Sequence, residues 1–257
     1  DPVREWVARF NADDEELYTN AVANCEAADF LVRNVPRFEC PDEDIVRTYY
    51  FRWWVFRKHL RQTPEGWVIT EFLPNVPYAG AHNTIVCPAG HHLREARWMH
   101  DPSVAADDAR FWFGTNGVHR FKYSTWLASA ILDVVRVTGE TSLATDLLDR
   151  MVEAYETWET KPILYDDFPR KGKVPMGGDG KGLFISTDNR EGSEYSLSGS
   201  GYRPLFNSAM YGEARAISEI ARLAGRADLA ERFAAKAAVI EDGIKGRLWN
   251  PERDFFA

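Results

Sequence analysis

The 257-residue sequence predicts an all-α fold, an α/α toroid of helical hairpins with long active-site loops and short β elements. Apolar residues recur at intervals of three and four along most of the chain, which is typical of amphipathic helices. A segment with the pattern of two helices joined by a short turn also occurs twice, and the irregular residues 160–203 lie between the copies. Open solenoids have short and even connections, so this long insertion favours a toroid with an active-site funnel.

The N-terminal third of the chain predicts two helices and one strand. Residues 13–33 open with acidic residues and then carry apolar residues at helical spacing. A second helix is expected to begin after Pro41 and to extend to about Leu60. Because aromatic residues lie on more than one face of it, we expect an inner helix whose end reaches a cavity. A short strand is expected at residues 67–72, before a loop rich in Pro and Gly.

The remaining helices follow the same periodicity. They are expected at residues 90–99, 102–113, 123–138 and 143–157. Residues 131–148 and 217–234 align without gaps, with Gly139 on Gly225. Each copy has the pattern of a helix, a glycine C-cap and a second helix, which is an αα-hairpin.

The number of hairpins bears on the domain organisation. A ring of six hairpins needs about twelve helices, and roughly eight can be placed in this chain. The last ten residues resemble the start of a strand or turn. We therefore expect residues 1–257 to form the N-terminal part of a single domain whose ring they do not close.

Composition excludes some classes of protein. The net charge of -8 argues against a nucleic-acid partner. No membrane-spanning stretch and no signal peptide are expected within this numbering, and the compartment and the oligomeric state stay open. Cys25, Cys40 and Cys87 are widely spaced and favour small buried thiols over a Cys25–Cys40 bridge. The nine Trp suit a carbohydrate partner, since aromatic rings cover the C–H face of a sugar.

Three carboxylates lie close together in the stretch DNREGSEYSLSGSGYRPLFNSAMYG, residues 188–212. Asp188, Glu191 and Glu194 precede a run of Ser and Gly. Glycosidic cleavage needs a proton donor to the leaving oxygen and a second carboxylate as base or nucleophile. Glu194 is the best donor candidate, because its neighbours Tyr195 and Leu197 would desolvate it and favour its protonated form.

Other interpretations of these residues stay open. The three acids could be solvated loop residues, and the segment GGDGKG with Asp179 and Asp188 could be a calcium loop, although the EF-hand spacing is absent. His82, His91 and His92 are close in sequence but lack the spacing of a zinc site. We therefore expect no metal and no cofactor. Pro204 marks the start of a helix. The first turns of this helix would place Arg203, Asn207 and Tyr211 together, where they line the funnel if that end of the helix points into it.

Three segments carry a resemblance to a known group of enzymes. They are YYFRWWVFRKHL, WVITEFLPNVPYAGAHNTIVCPAGHHLREARW and GLFISTDNREGSEYSLSGSGYRPLFNSAMYGEA. Over about residues 40–230 the chain resembles the six-hairpin (α/α)6-barrel glycosidases, in the group related to trehalase, mannosylglycerate hydrolase and processing α-glucosidase. Members of that group place a general acid in a loop between hairpins, before an aromatic residue and a Ser. Glu194, Tyr195 and Ser196 occupy those places here.

The resemblance has one departure and one gap. The trehalase-type pattern has Asp as the acid and a Glu four residues before it, whereas this chain has Glu194 and Arg190. The family's catalytic base is a Glu far downstream, and no position in this sequence matches it. The resemblance implies an inverting mechanism and candidate substrate ligands. These ligands are Asp188, Glu191, Arg203, Asn207, Tyr211, Arg52, Trp53, His82, His91, Tyr123 and Trp126.

These observations predict a glycoside hydrolase that acts on an oligosaccharide or on the non-reducing end of a glycan. Two alternatives stay open. A glycoside phosphorylase on the same toroid would use phosphate in place of water and would need only one carboxylate. A non-catalytic α-solenoid interaction module would have an evenly repeated surface and no affinity for sugars. The sugar, the anomer and the linkage cannot be predicted, because specificity depends on pocket shape.

Overall fold

The computed structural model describes residues 1–114, 116–166, 172–193 and 199–256. These residues form nine α-helices and seven short strands, so the chain is mostly helical, as predicted. They divide into two compact units. The first comprises Asp1–Ile85 and His91–Gly117, and the second comprises Val86–Gly90 and Val118–Ala257.

The first unit contains helices packed beside one short hairpin. Its elements are α1 (Pro2–Ala12), α2 (Asn24–Asn34), α3 (Glu43–Lys58), β1 (Leu60–Thr63), β2 (Gly66–Ile69), a 3-10 helix (Ala81–Asn83) and α5 (Ser103–Phe113). Two further elements contain residues of both units. They are α4 (Ala89–Ala96) and a 3-10 helix (Asn116–Phe121). Strands β1 and β2 pair antiparallel, with Leu60 opposite Ile69.

Helix α3 is the aromatic centre of the first unit. The Asp42 carboxylate accepts hydrogen bonds from the Asp44 and Ile45 N–H groups, which caps the first turn where the sequence predicts a helix start. Trp53 and Trp54 are buried on this helix. The buried Arg57 guanidinium donates to the Val22 carbonyl at 2.7 Å and contacts the Trp54 ring. The opposite face of α3 is exposed at Ile45 and Phe51, so the prediction of an inner helix is wrong and α3 buries one face only.

Helix α5 holds the hairpin through a buried carboxyl group. Asp108 is fully buried, and its Oδ1 accepts the Ile69 N–H at 3.0 Å. Burial raises the pKa of Asp108 to about 7, against the opposing effect of the Ile69 N–H and the Trp112 indole. The folded unit therefore favours the protonated side chain over much of the acidic range.

This pKa predicts how stability changes with pH. Because the folded value is raised from 3.8 to about 7, the Asp108 contribution is fully present below pH 3.8 and is lost as the pH rises to 7. The expected loss is about 4 kcal/mol. Asp108→Asn cannot titrate, so the difference in unfolding free energy between variant and wild type should shift in favour of the variant from pH 4 to pH 7.5. Urea unfolding across that range measures the difference.

A matched control defines the result. Asp29, on α2 of the same unit, has an exposed side chain paired with Arg4. Asp29→Asn should therefore keep nearly the wild-type pH dependence. A pH-independent difference between Asp108→Asn and wild type would contradict the assignment of a raised pKa to Asp108.

The second unit is built from two αα-hairpins and a small sheet. Its helices are α6 (Leu127–Thr138), α7 (Thr141–Thr160), α8 (Pro204–Leu223) and α9 (Ala227–Gly243), with a 3-10 helix (Asp188–Arg190) and a π-helix (Ile244–Leu248). Its strands are β3 (Ile163–Asp166), β4 (Lys173–Gly178), β5 (Phe184–Ile185), β6 (Trp249–Asn250) and β7 (Phe255–Phe256). Strands β3, β4 and β5 pair antiparallel in that order.

The predicted repeat forms two hairpins of the same kind. Helices α6 and α7 are joined at Gly139, and α8 and α9 are joined at Gly225. The φ angles of Gly139 and Gly225 are +78° and +70°, in the left-handed region that disfavours a side chain. The alignment of the two glycines in sequence therefore reflects one shared turn geometry.

Several expectations about local structure are wrong or incomplete. The predicted helix over residues 13–33 is absent between α1 and α2, because Glu16 has a φ of +48° and the Ala21 N–H donates to the Leu60 carbonyl. Helix α1, capped by Asp1, and strand β1 were not predicted. The expected strand at residues 67–72 corresponds to β2, which ends at Ile69. The final residues form the short β6–β7 hairpin, as the sequence indicates.

The prediction of buried thiols is also wrong. Cys25 and Cys40 do not form a disulfide. Cys25 is exposed, and Cys40 and Cys87 are partly exposed. Small residues at helix ends need not face the core, and spacing alone does not show which way they face.

Candidate active site

The carboxylate stretch lies in the second unit, between β5 and α8. Ser186 and Gly201 form an isolated antiparallel bridge, and each N–H donates to the other's carbonyl at 2.9 Å. This bridge brings the two ends of the segment 187–200 together. Glu194, the predicted proton donor, and residues 195–198 lie outside the described residues.

Asn207 fastens the first turn of α8 to β5. Its Nδ2 donates to the Phe184 carbonyl and to the Arg203 carbonyl, both at 2.9 Å, and its Oδ1 accepts the Phe184 N–H at 2.8 Å. The side chain is fully buried. Both amide hydrogens are therefore committed to the main chain, and the predicted substrate ligand positions the backbone beside the loop.

Glu191 and Arg203 form a buried ion pair across the loop. Arg203 Nε donates to Glu191 Oε2 at 2.7 Å, and Nη1 donates to the Gly199 carbonyl at 2.7 Å. The Glu191 side chain is 0% exposed, and its Oε1 is buried with no hydrogen-bond partner in the described part of the chain. Burial raises the pKa of Glu191, although Arg203 opposes the shift.

Asp188 is the second buried carboxylate. Its Oδ1 accepts the Asn189 N–H at 2.9 Å, and its main-chain carbonyl accepts the N–H groups of Glu191 and Ser193. Asp188 is fully buried, and Glu191 is 8% exposed when its main chain is included. The alternative of solvated loop acids is therefore excluded for these two residues, which lie in a tight turn of the main chain.

Arg190 is a residue whose place in the site the sequence analysis did not predict. Its guanidinium carbon lies 4.4 Å from the centre of the Tyr165 ring and 5.5 Å from that of Tyr123. The Ser124 N–H donates to the Arg190 carbonyl at 2.9 Å. The signal in the sequence is a cation between the acids Asp188 and Glu191.

Tyr123 and Trp126, both predicted ligands, lie in the same unit and are half-buried. A Cβ atom at Gly90 would come within 2.5 Å of the Trp126 Nε1 atom. The absence of a side chain at Gly90 therefore lets the indole ring pack against the main chain.

Tyr211 makes a different set of contacts from Arg203 and Asn207. Its hydroxyl accepts a hydrogen bond from Arg215 at 3.0 Å, one turn further along α8. Within the described residues, the Tyr211 hydroxyl is not joined by a hydrogen bond to Arg203, Asn207 or Glu191. The structure thus groups Asp188, Glu191 and Arg203 more closely than it groups Tyr211 with them.

The other predicted ligands belong to the first unit. Arg52 pairs with Glu95, and Trp53 is buried beside Tyr49 and Phe56. His82 has a φ of +54° and its Nε2 lies 2.8 Å from Glu65 Oε2. His91 is exposed at the surface of this unit.

The described residues offer no group of three or more His, Cys, Asp or Glu side chains that could hold a metal ion. In the segment considered for calcium, Asp179 Oδ1 accepts the N–H groups of Lys181 and Leu183, and Oδ2 contacts Arg247. Oδ1 thus stabilises the β4–β5 turn, and Oδ2 joins that turn to the π-helix that contains Arg247. In addition, none of the described helices has the length and apolar character needed to cross a bilayer.

Comparisons with known proteins identify the family. No curated protein sequence matches the chain. Among solved structures, a protein named "Sialidase" superposes with a TM-score of 0.88 at 31% sequence identity, over 98% of this chain and 23% of that one. The model of the mannosylglycerate hydrolase MGH1-like glycoside hydrolase domain matches residues 81–257, which include the whole carboxylate stretch. The chain therefore belongs to the MGH1-like glycoside hydrolase domain family, a family of glycosidases.

Proposed function

We propose that the protein hydrolyses a glycosidic bond of an oligosaccharide or of a glycan's non-reducing end, with inversion and with Glu194 as the general acid. The observation that carries this proposal is the family match over residues 81–257. Within that range, the bridge between Ser186 and Gly201 holds the ends of the Glu194 segment between β5 and α8. A loop fixed at both ends is suited to presenting a proton donor in a defined orientation.

The proposal gives the neighbouring residues two kinds of role. Glu191 acts by holding Arg203, to which its buried carboxylate is bound. Asn207 acts by holding the main chain, to which its buried amide is bound. The half-buried rings of Tyr123 and Trp126 are suited to covering a sugar. The remaining proposed ligands are Asp188, Arg203, Tyr211, Arg52, Trp53, His82 and His91.

The proposal also concerns the domain. We assign residues 1–257 to the N-terminal part of a single (α/α)6 catalytic domain, with the catalytic base on a loop beyond Ala257. Two αα-hairpins with the same glycine turn support a repeated-hairpin architecture. The chain spans 23% of the similar sialidase structure, which leaves room for further hairpins in a protein of that kind.

Product analysis distinguishes hydrolysis from phosphorolysis. The full-length protein, incubated with nitrophenyl glycosides and reducing-end-labelled oligosaccharides, should release free sugar in phosphate-free buffer. Proton NMR during the first minutes should show the anomer opposite to that of the substrate, because water attacks the face opposite the leaving group. Cleavage that requires phosphate and yields a sugar phosphate would instead establish the phosphorylase, and retention of the anomer would contradict inversion.

A further inference from the structure

Arg247 joins the two parts of the chain that lead into and out of the loop between β5 and α8. It lies on the π-helix Ile244–Leu248, and its Nη1 and Nη2 each donate to Asp179 Oδ2 at 3.2 Å. Its guanidinium carbon also lies 4.8 Å from the centre of the Tyr202 ring. One side chain therefore contacts both the β4–β5 turn and the end of the loop just before α8.

Asp179 connects Arg247 to the start of the loop. Its Oδ1 accepts the N–H groups of Lys181 and Leu183 at 2.7 and 3.0 Å, and its own N–H donates to the Leu183 carbonyl at 2.8 Å. Strand β5 begins at the next residue and is followed by Ser186, the first partner of the bridge. Burial raises the pKa of Asp179, but the two N–H groups and the contacts with the cation hold it below its ordinary value. Arg247 is thus held by a charged carboxylate in a turn continuous with β5.

Tyr202 is the first large side chain after the run of Ser and Gly. The φ angles of Gly199 and Gly201 are +65° and +154°, which residues with a side chain rarely adopt. These glycines have no side chain that could anchor the end of the loop. Arg203 binds within the loop, through the Gly199 carbonyl, whereas Tyr202 contacts Arg247 outside it. The contact with Arg247 therefore attaches the end of the loop to the rest of the unit.

We propose that Arg247 is a positioning residue, which holds the end of the Glu194 loop against the β4–β5 turn and so fixes the orientation of the proton donor. This inference rests on the proposed function, because it concerns the delivery of that proton. Arg247 acts through Tyr202 and the main chain. Proton transfer depends on placement, and a displacement of about 1 Å can cost on the order of a hundredfold in rate. Short π-helical turns are rare and are frequent at functional sites, which agrees with this role.

Two variants of the full-length protein remove the ion pair from opposite sides. Arg247→Gln removes the cation, and Asp179→Asn removes the charge but keeps an oxygen for the Lys181 and Leu183 N–H groups. Each should lower kcat about tenfold on a substrate whose leaving group is a sugar, with KM nearly unchanged. On a 2,4-dinitrophenyl glycoside the loss should stay below about twofold, because that leaving group needs no proton donor. A general loss of folded protein would instead lower both rates equally.

The contacts also predict how substitutions combine. Because Arg247 and Asp179 form one pair, the double variant should lose little more activity than either single variant. Tyr202→Phe keeps the ring beside the guanidinium and should retain nearly the wild-type kcat, whereas Tyr202→Ala should resemble Arg247→Gln. A loss in Tyr202→Phe as large as that in Tyr202→Ala would contradict a role for the ring.

Hydrogen exchange tests the attachment of the loop without any substrate. The Ser186 and Gly201 N–H groups form the bridge, so Arg247→Gln should speed their exchange about fivefold. Arg232 is the matched control, since it also lies over an aromatic ring and pairs with a carboxylate, that of Glu156. Arg232→Gln should change neither this exchange nor kcat on either substrate.

The outcomes separate this inference from the proposed function. Unchanged exchange in Arg247→Gln would overturn the inference, whether or not the protein cleaves glycosides. Faster exchange with a wild-type kcat on the sugar leaving group would overturn the positioning role. Faster exchange in Arg247→Gln together with full activity in Glu194→Gln would overturn only the assignment of Glu194 as the acid, and the attachment of the loop to Arg247 would stand.

Discussion

Glu194→Gln should lower kcat of the full-length enzyme by about a thousandfold on a substrate whose leaving group is a sugar. The leaving oxygen of a sugar is a strong base, so its departure needs the proton that Glu194 is proposed to supply. On a 2,4-dinitrophenyl glycoside of the same sugar the loss should be much smaller, because dinitrophenolate leaves without protonation. Steady-state kinetics on the two substrates measures the difference.

Glu219→Gln is the matched control for this change. Glu219 is an exposed glutamate on α8 that pairs with Arg136, so its replacement should leave both rates unchanged. Thermal unfolding of both variants checks that each is folded. An equal loss on both substrates would show that Glu194 acts on binding or folding, and an unchanged rate on the sugar leaving group would remove it from the mechanism.

The hairpins were predictable because their signals are local. A helix repeats every 3.6 residues, and its end is marked by a residue that tolerates positive φ, so Gly139 and Gly225 identify both turns in the sequence. The start of α3 is similar, since Asp42 caps its own helix through N–H groups two and three residues away. Where the determinants lie within one turn of the chain, the sequence suffices.

Residues 13–23 show what local patterns miss. Their acids and apolar spacing suit a helix, yet Asn20 donates to the Lys58 carbonyl and Asp14 accepts a hydrogen bond from Lys58 Nζ. These contacts join positions about forty residues apart, so tertiary interactions override the local preference. Strands β1, β3, β4 and β5 also escape prediction, because two to six residues carry little periodicity.

The sequence likewise predicts some features of the candidate site and misses others. The sequence predicts that Asp188 and Glu191 serve a purpose, since clustered acids on a Ser and Gly loop have no role in core packing. It does not predict that both are buried, or that Glu191 pairs with Arg203 twelve residues later. Nor does it indicate that Arg190 meets Tyr165, because that contact depends on how β3 returns to the loop.

Arg203→Ala should destabilise the protein by about 3 kcal/mol near pH 7, because it leaves the Glu191 carboxylate buried without its cation. The cost should depend on pH. Burial already raises the pKa of Glu191 above 4.5, so the contribution of this group to stability is present below pH 4.5 and is lost as the pH rises through the folded value. Removing Arg203 takes away the main opposing effect and raises that pKa further. The difference from wild type should therefore be smaller at pH 4 than at pH 7, as measured by urea unfolding.

A double-mutant cycle separates the charge effect from the lost contact with Gly199. In the Arg203→Ala background, Glu191→Gln removes the unpaired charge and should restore part of the stability at pH 7 but little at pH 4. The exposed pair of Arg232 and Glu156 is the control, and Arg232→Ala should cost less than about 1 kcal/mol at either pH. If the cost of Arg203→Ala is the same at both pH values, and Glu191→Gln gives no relief, the hydrogen bond to the Gly199 carbonyl and not the ion pair is what Arg203 contributes. In that case the ends of the Glu194 segment are held by main-chain contacts, and the carboxylate of Glu191 is free for another role.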